Sequence, residues 1–312
     1  MQISSESKGV YAIAVTPFLD DGTIDLDGIA RLVDFYTEAG VTGLTILGMM
    51  GEAPKLEASE ALEIVRRFLA RSSVPVVVGI SVPGFASMRR LAHEAMGMGA
   101  AGVMVAPPPN LRTDDQIVGY YANFTEAVGG DIPFVIQDFP LAQSVVMSPG
   151  VIRRIVNDNP ACEMLKHEDW PGLDKITQLR TWQAEGSLRP ISILCGNGGA
   201  FLDLEMVRGA DGAMTGYAFP EMLVDVVRLS QQGDIEAAMD IFDAHLPLVR
   251  YEQQPGLGLA ARKYVLYRRG VIASEAQRRP GAALSRSGKA EVELLLKRMA
   301  RRDARADLGV AR

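Results

Sequence analysis

The sequence predicts an α/β fold, a (β/α)8 TIM barrel with a C-terminal helical appendage. Three observations predict it. Short, continuously apolar segments recur eight times, and an amphipathic helical stretch follows each of them. The first apolar segment runs into Thr16-Pro17-Phe18, not into the glycine-rich turn that opens a doubly wound nucleotide-binding sheet. After Gln231 the alternation stops and only helical patterns remain. The spacing places the barrel over residues 8–232 and the helical region over residues 233–303.

The strand segments are 10–15, 43–47, 75–80, 102–106, 133–137, 162–167, 191–195 and 211–215. Their unbroken Val, Ile, Leu and Met character suits parallel strands buried on both faces. Helices are predicted at 26–38, 58–70, 86–98, 114–127, 149–156, 172–185, 199–208 and 220–231. In the first, Ile29, Leu32, Val33 and Tyr36 fall on one stripe. Ser59, Thr113 and Ser148, the last followed by Pro149, read as helix-starting caps. Gly40 and Gly99 read as helix ends. Beyond Gln231, helices are predicted at 234–250, 256–269 and 288–302. No low-complexity linker precedes them, so they should pack on the barrel or on a neighbouring subunit. The basic run Lys297-Arg298-Met299-Ala300-Arg301-Arg302 should end a surface helix, with fraying beyond Asp303.

Composition excludes several classes. With 312 residues, 48% hydrophobic and 22% charged, the chain is ordinary globular protein. A chain this long buries roughly three quarters of its unfolded surface and needs no disulfide or metal staple. Its two cysteines, Cys162 and Cys195, lie in strand segments and read as reduced core residues, which points to the cytoplasm. A net charge of −6 without a basic face argues against nucleic acid as a partner. The polar segment 1–8 lacks the apolar stretch of a signal peptide. No apolar run reaches the roughly 18 residues of a membrane span.

Barrel active sites lie at the C-terminal ends of the strands. Those ends carry Gly48-Met49-Met50-Gly51-Glu52, Pro107-Pro108-Pro109, Gln137-Asp138-Phe139-Pro140, Lys166-His167-Glu168, Gly196-Asn197-Gly198-Gly199 and Gly216. Lys166 stands out. The other lysines fall at termini, in loops or on predicted helices, whereas Lys166 closes the apolar strand Cys162-Glu163-Met164-Leu165. Partial desolvation there favours the neutral amine, which attacks a ketone to give an iminium. The competing reading is a salt bridge to Glu52, Asp138 or Glu168. His167 should point away from Lys166 if the pleat holds. The three histidines are scattered, with no metal-ligand spacing. Gly196-Asn197-Gly198-Gly199 reads either as an anion-binding helix start or, more blandly, as a tight turn.

These segments resemble the dihydrodipicolinate synthase / N-acetylneuraminate lyase family. Gly9-Val10 through Thr16-Pro17-Phe18 is similar to its opening strand, and Gly48-Met49-Met50-Gly51-Glu52 to its Gly-Thr-Thr-Gly-Glu loop. Leu165-Lys166 falls at its Schiff-base lysine, and Asp211-Gly212-Ala213-Met214-Thr215-Gly216 at its eighth strand. The resemblance implies a class I mechanism without metal or cofactor, a small 2-oxo acid as substrate, and a homo-oligomer, tetramer or dimer. Lys166 would then be the nucleophile, with Gln137 beside it as a catalytic residue. The amides of Met49 and Met50 would bind the carboxylate. Glu52, Asp138, Gly196 and Gly216 complete the expected substrate-binding set, with Glu52 ordering its loop and Asp138 or Glu168 as general base.

The departures matter equally. Gln137 stands where the family has a tyrosine, Met49 and Met50 where it has two threonines, and Pro108 and Pro109 where it has paired tyrosines. Leu141-Ala142-Gln143 stands where the synthase carries a carboxylate-binding arginine. Losing a hydroxyl relay removes a proton shuttle. The Gln-Asp-x-Pro stretch, with Leu246-Pro247-Leu248 and Gly270-Val271-Ile272-Ala273-Ser274-Glu275, resembles the 2-keto-3-deoxy-sugar-acid dehydratase branch instead. The expected reaction is aldol cleavage, condensation or dehydration. The alternatives are a true 4-hydroxy-tetrahydrodipicolinate synthase and a barrel that binds a keto acid without turning it over.

Overall fold

The computed structural model describes residues 1–309. Eight parallel strands close into a barrel in sequence order, β1 pairing with β8. They are β1 Gly9–Ile13, β2 Gly43–Ile46, β3 Val76–Gly79, β4 Gly102–Val105, β5 Phe134–Asp138, β6 Cys162–His167, β7 Ser192–Cys195 and β8 Gly212–Ala213. Between and after them lie α1 Leu26–Glu38, α2 Ala58–Arg71, α3 Phe85–Gly97, α4 Asp114–Val128, α5 Pro140–Gln143, α6 Pro149–Asp158, α7 Leu173–Ala184, α8 Leu202–Val207 and α9 Pro220–Gln231. Three further helices, α10 Ile235–Glu252, α11 Gly258–Arg268 and α12 Arg286–Met299, follow the barrel. The expected barrel and trailing helices are both present.

The pleat divides every strand between two dry layers, which is why the strands read as continuous apolar runs. Ile13, Val77, Val135, Met164, Leu194 and Met214 fill the barrel interior. Ala12, Leu44, Val78, Ile136, Leu165 and Ile193 face outward under the helices. Ile3 closes the floor: its amide donates to Ala101 O at 2.9 Å, and a Cβ on Gly102 would lie 2.6 Å from its Cδ1. The segment 1–8 is therefore tied to the barrel, and only its polarity was visible in the sequence. Alternation continues to the strand ends, so Gln137 shares a face with Val135 and Lys166 shares one with Met164.

Several local expectations change. Helix α2 is capped at Glu57, whose amide donates to Glu60 Oε2 at 2.9 Å; Ser59 lies inside the helix. Thr113 and Ser148 do cap α4 and α6. The single helix expected at 199–208 is broken, because Gly198 and Gly199 take left-handed φ angles of 64° and 74°. Asn197–Gly199 forms a 3-10 turn before α8. Only Gly212 and Ala213 of the expected eighth strand pair as a ladder. The short helix α5, which starts at Pro140, had no periodic signal to predict it.

The C-terminal region is clamped onto the barrel. Arg278 places its guanidinium on Glu60 and donates to the carbonyls of Gly22 and Lys55. Ser274 bonds Asp20 at 2.5 Å. The chain past Asp303 is also held: His245 Nε2 meets Asp303 Oδ2 at 2.8 Å, and Arg305 Nη1 meets Asp225 Oδ2 at 2.8 Å. The fraying expected there does not occur before residue 309, and residues 310–312 lie outside the described residues. No helix among the described residues is long and apolar enough to cross a membrane.

Candidate functional site

Register sets the first contact. Gln137 on β5 and Lys166 on β6 are paired neighbours, both facing the barrel axis at its C-terminal mouth. Lys166 is 5% exposed, and its Nζ lies 2.9 Å from Glu168 Oε2. Gln137 Nε2 donates to the same oxygen at 2.9 Å. One carboxylate thus bridges the two residues expected to be catalytic. Of the three acidic partners considered for Lys166, Glu168 is the one in contact.

The turn after β7 positions that carboxylate. The Asn197 amide lies 3.4 Å from Glu168 Oε1, and Asn197 Nδ2 donates to the Glu168 carbonyl at 2.7 Å. A Cβ on Gly196 would sit 2.2 Å from Glu168 Cγ. Gly196 therefore makes room for Glu168 and does not itself line the cavity. The anion held by this glycine-rich turn is the chain's own side chain.

Lys166, Gln137 and Glu168 line a small chamber of about 50 Å³, completed by Met49, Met50 and Gly216. The amides of Met49 and Met50 donate no hydrogen bond among the described residues, although the carbonyls of Gly48 and Met49 do accept. Among the described residues, Thr215 is the only hydroxyl-bearing one in the chamber wall, and no tyrosine lines it. Beside the chamber lies a larger, mostly apolar cavity of about 570 Å³. The two share Gly48, Met49 and Gln137, and Gln143 of α5 lines the larger one.

Besides Gly196, two expected site residues do not line the chamber. Asp138 is turned to the outer face of β5 by the pleat and is fully buried. Its Oδ2 accepts from Lys175 Nζ at 2.7 Å and lies 3.8 Å from His167 Nδ1. It does not reach the chamber, whereas Glu168, two residues after the inward Lys166, does. His167 points outward as expected. Glu52 is 1% exposed beneath its loop, with Lys263 Nζ at 2.5 Å and Lys55 Nζ at 2.8 Å. It orders the loop and does not line the chamber. Burial is not peculiar to Lys166, because Lys175 and Lys263 are buried too. Desolvation pushes the Lys263 ammonium down to about 8.

Two chamber residues were missed altogether, Gln253 at the end of α10 and Arg262. Arg262, on α11, is 2% exposed, and its Nε donates to Glu252 Oε2 at 2.7 Å. Its only sequence signal is two cations, Arg262 and Lys263, inside a helix whose residues are otherwise mostly apolar and buried. Behind the site, burial pushes the Glu205 carboxyl up to about 7, with His167 opposing it. No group of three or more His, Cys, Asp or Glu among the described residues has the geometry to hold a metal ion.

The chain is similar to known proteins over nearly its whole length. A crystal structure of dihydrodipicolinate synthase from Rhodopseudomonas palustris superposes with a TM-score of 0.95 at 60% identity, covering 96% of this chain and 99% of that one. L-2-keto-3-deoxyarabonate dehydratase of Azospirillum brasilense is 28% identical over 298 residues, 94% of each chain. A 4-hydroxy-tetrahydrodipicolinate synthase of Chlorobium luteolum is 29% identical over 294 residues, 92% of this chain and 95% of its own. The Dihydrodipicolinate synthetase family model matches residues 6–299, nearly the whole barrel and its trailing helices, and the chain belongs to that family.

Proposed function

We propose that the chain is a Schiff-base lyase acting on a 2-oxo acid, of the pyruvate or 2-keto-3-deoxy-sugar-acid type, in the cytoplasm and as a homo-oligomer. The observation that carries this reading is the Lys166–Glu168–Gln137 cluster at the barrel mouth, with both side-chain contacts to Glu168 Oε2 at 2.9 Å. Glu168 takes a proton from the Lys166 ammonium, and the freed amine adds to the ketone. Glu168 returns that proton to the adduct's hydroxyl, which leaves as water and gives the iminium. The unpaired amides of Met49 and Met50 receive the carboxylate, a task for which side-chain identity is immaterial.

The iminium acidifies C3. Glu168 removes a C3 proton, and the C2=C3 enamine forms. In a dehydration the enamine electrons move to C3=C4 and the C4 hydroxyl departs, taking the proton from Glu168 and leaving as water. In aldol cleavage the iminium keeps its C3 protons: Glu168 takes the C4 hydroxyl proton, the C4=O bond forms, and the C3–C4 electrons pass to C2=C3 as that bond breaks. Gln137 holds Glu168 in place in either case. This assignment gives one carboxylate the work of a hydroxyl relay, in a chamber wall without tyrosine.

The synthase reading has in its favour the names carried by the 60% identical Rhodopseudomonas palustris structure and the 29% identical Chlorobium luteolum relative. Condensation of pyruvate with aspartate semialdehyde tests it. The non-catalytic reading predicts binding of pyruvate without product from any sugar acid. The deciding experiment is borohydride reduction with pyruvate, followed by peptide mapping. A reduced adduct on Lys166, absent from Lys166→Ala, is expected; a folded wild-type protein that gives no adduct would overturn the Schiff-base assignment.

A further inference from the structure

Arg262 is a buried cation whose donors are mostly unused. Its Nε is taken by Glu252, while Nη1 and Nη2 make no hydrogen bond among the described residues. The guanidinium arrives over the end of β8, where Gly216 admits it: a Cβ there would lie 2.4 Å from Arg262 Nη1. Both residues line the chamber that holds Lys166. In a chamber of about 50 Å³ lined by both residues, the small-acid end of a ligand joined to Lys166 lies close to the guanidinium.

The rest of the chamber leaves an electrostatic gap. An entering 2-oxo acid brings a negative charge toward Glu168, which already faces Lys166. Two amide dipoles at Met49 and Met50 offset this only in part. A planar guanidinium with free N–H donors is the group best matched to a carboxylate. We propose that Arg262 binds the substrate's own C1 carboxylate, together with the amides of Met49 and Met50. The C-terminal helical region, which also lines the chamber with Gln253, thereby supplies a substrate-contacting residue to the site. Glu252 fixes the guanidinium through Nε and leaves its other edge open to the ligand. The inference rests on the Schiff-base reading of Lys166.

The test compares pyruvate with pyruvamide, its neutral isostere, by borohydride trapping. Arg262→Gln is expected to raise the pyruvate concentration for half-maximal trapping about 10- to 100-fold. The maximal extent of trapping should persist, and pyruvamide should shift less than about threefold. Equal shifts for the two ligands, or none for either, would overturn the proposal. Gly216→Ala, whose methyl would lie 2.4 Å from Arg262 Nη1 and 3.2 Å from its Cζ and so displaces the guanidinium, serves if Arg262→Gln does not fold, and must show the same selective loss of pyruvate. A wild-type protein that traps neither ligand refutes the lysine chemistry instead, so the two failures are distinguishable.

Discussion

Glu168 is the residue on which the proposed chemistry turns, because Lys166 and Gln137 both end on one of its oxygens. Glu168→Gln keeps the size and one acceptor but cannot carry a proton. Turnover should fall about 10²- to 10⁴-fold while Lys166 can still be trapped by borohydride at high pyruvate; steady-state kinetics at wild-type level would place the base elsewhere. The sequence left Asp138 and Glu168 as rival bases, yet the alternation that turns His167 outward already separates them. Asp138 follows the inward Gln137 by one residue and faces out, and Glu168 follows the inward Lys166 by two and faces in. Arg262 had no comparable signal. Its place depends on a helix far along the chain meeting the end of β8, a tertiary fact that no local pattern encodes.

At the scale of elements, α8 packs its Glu205 against the outer face of the barrel behind the site. Burial raises this carboxyl from the ordinary 4.5 to about 7. The sign follows from linkage: the folded state binds the proton more tightly than the unfolded chain. The associated stability is fully present below pH 4.5 and is lost as pH rises through 7. The amount is on the order of 3 kcal/mol, from about 1.4 kcal/mol per unit. Glu205→Gln should therefore flatten the fall in melting temperature between pH 4.5 and 8, as read by calorimetry across that range; an unchanged slope would remove Glu205 as its cause. The elements themselves were legible where both signals were strong. Helix α1 and helix α9 begin and end where periodicity placed them, at Leu26–Glu38 and Pro220–Gln231. The misses fall at 197–215, where glycines with positive φ break the helix and shorten the ladder, and at α5, a single turn too short for any period.

The whole molecule is a barrel sealed at both ends by segments from the chain's extremities: Ile3 at the floor, and α11 with Arg278 at the mouth. Cys162 and Cys195 sit on the adjacent strands β6 and β7, 0% exposed, and burial pushes both thiols up. Both lie in the layer between strands and helices, so an alkylating reagent meets them only when the covering helices lift or the chain unfolds, and their labelling rate in native buffer is a clock for that opening. Lys166 shares β6 with Cys162, and a ligand held in its chamber disfavours that opening by mass action. Labelling should slow about 100-fold at a ligand concentration 100 times its dissociation constant. Two inert core sulfurs thus become a substrate screen that requires no turnover: each sugar acid is ranked by how far it delays the loss of free thiol, and one that leaves the rate untouched has not entered the barrel.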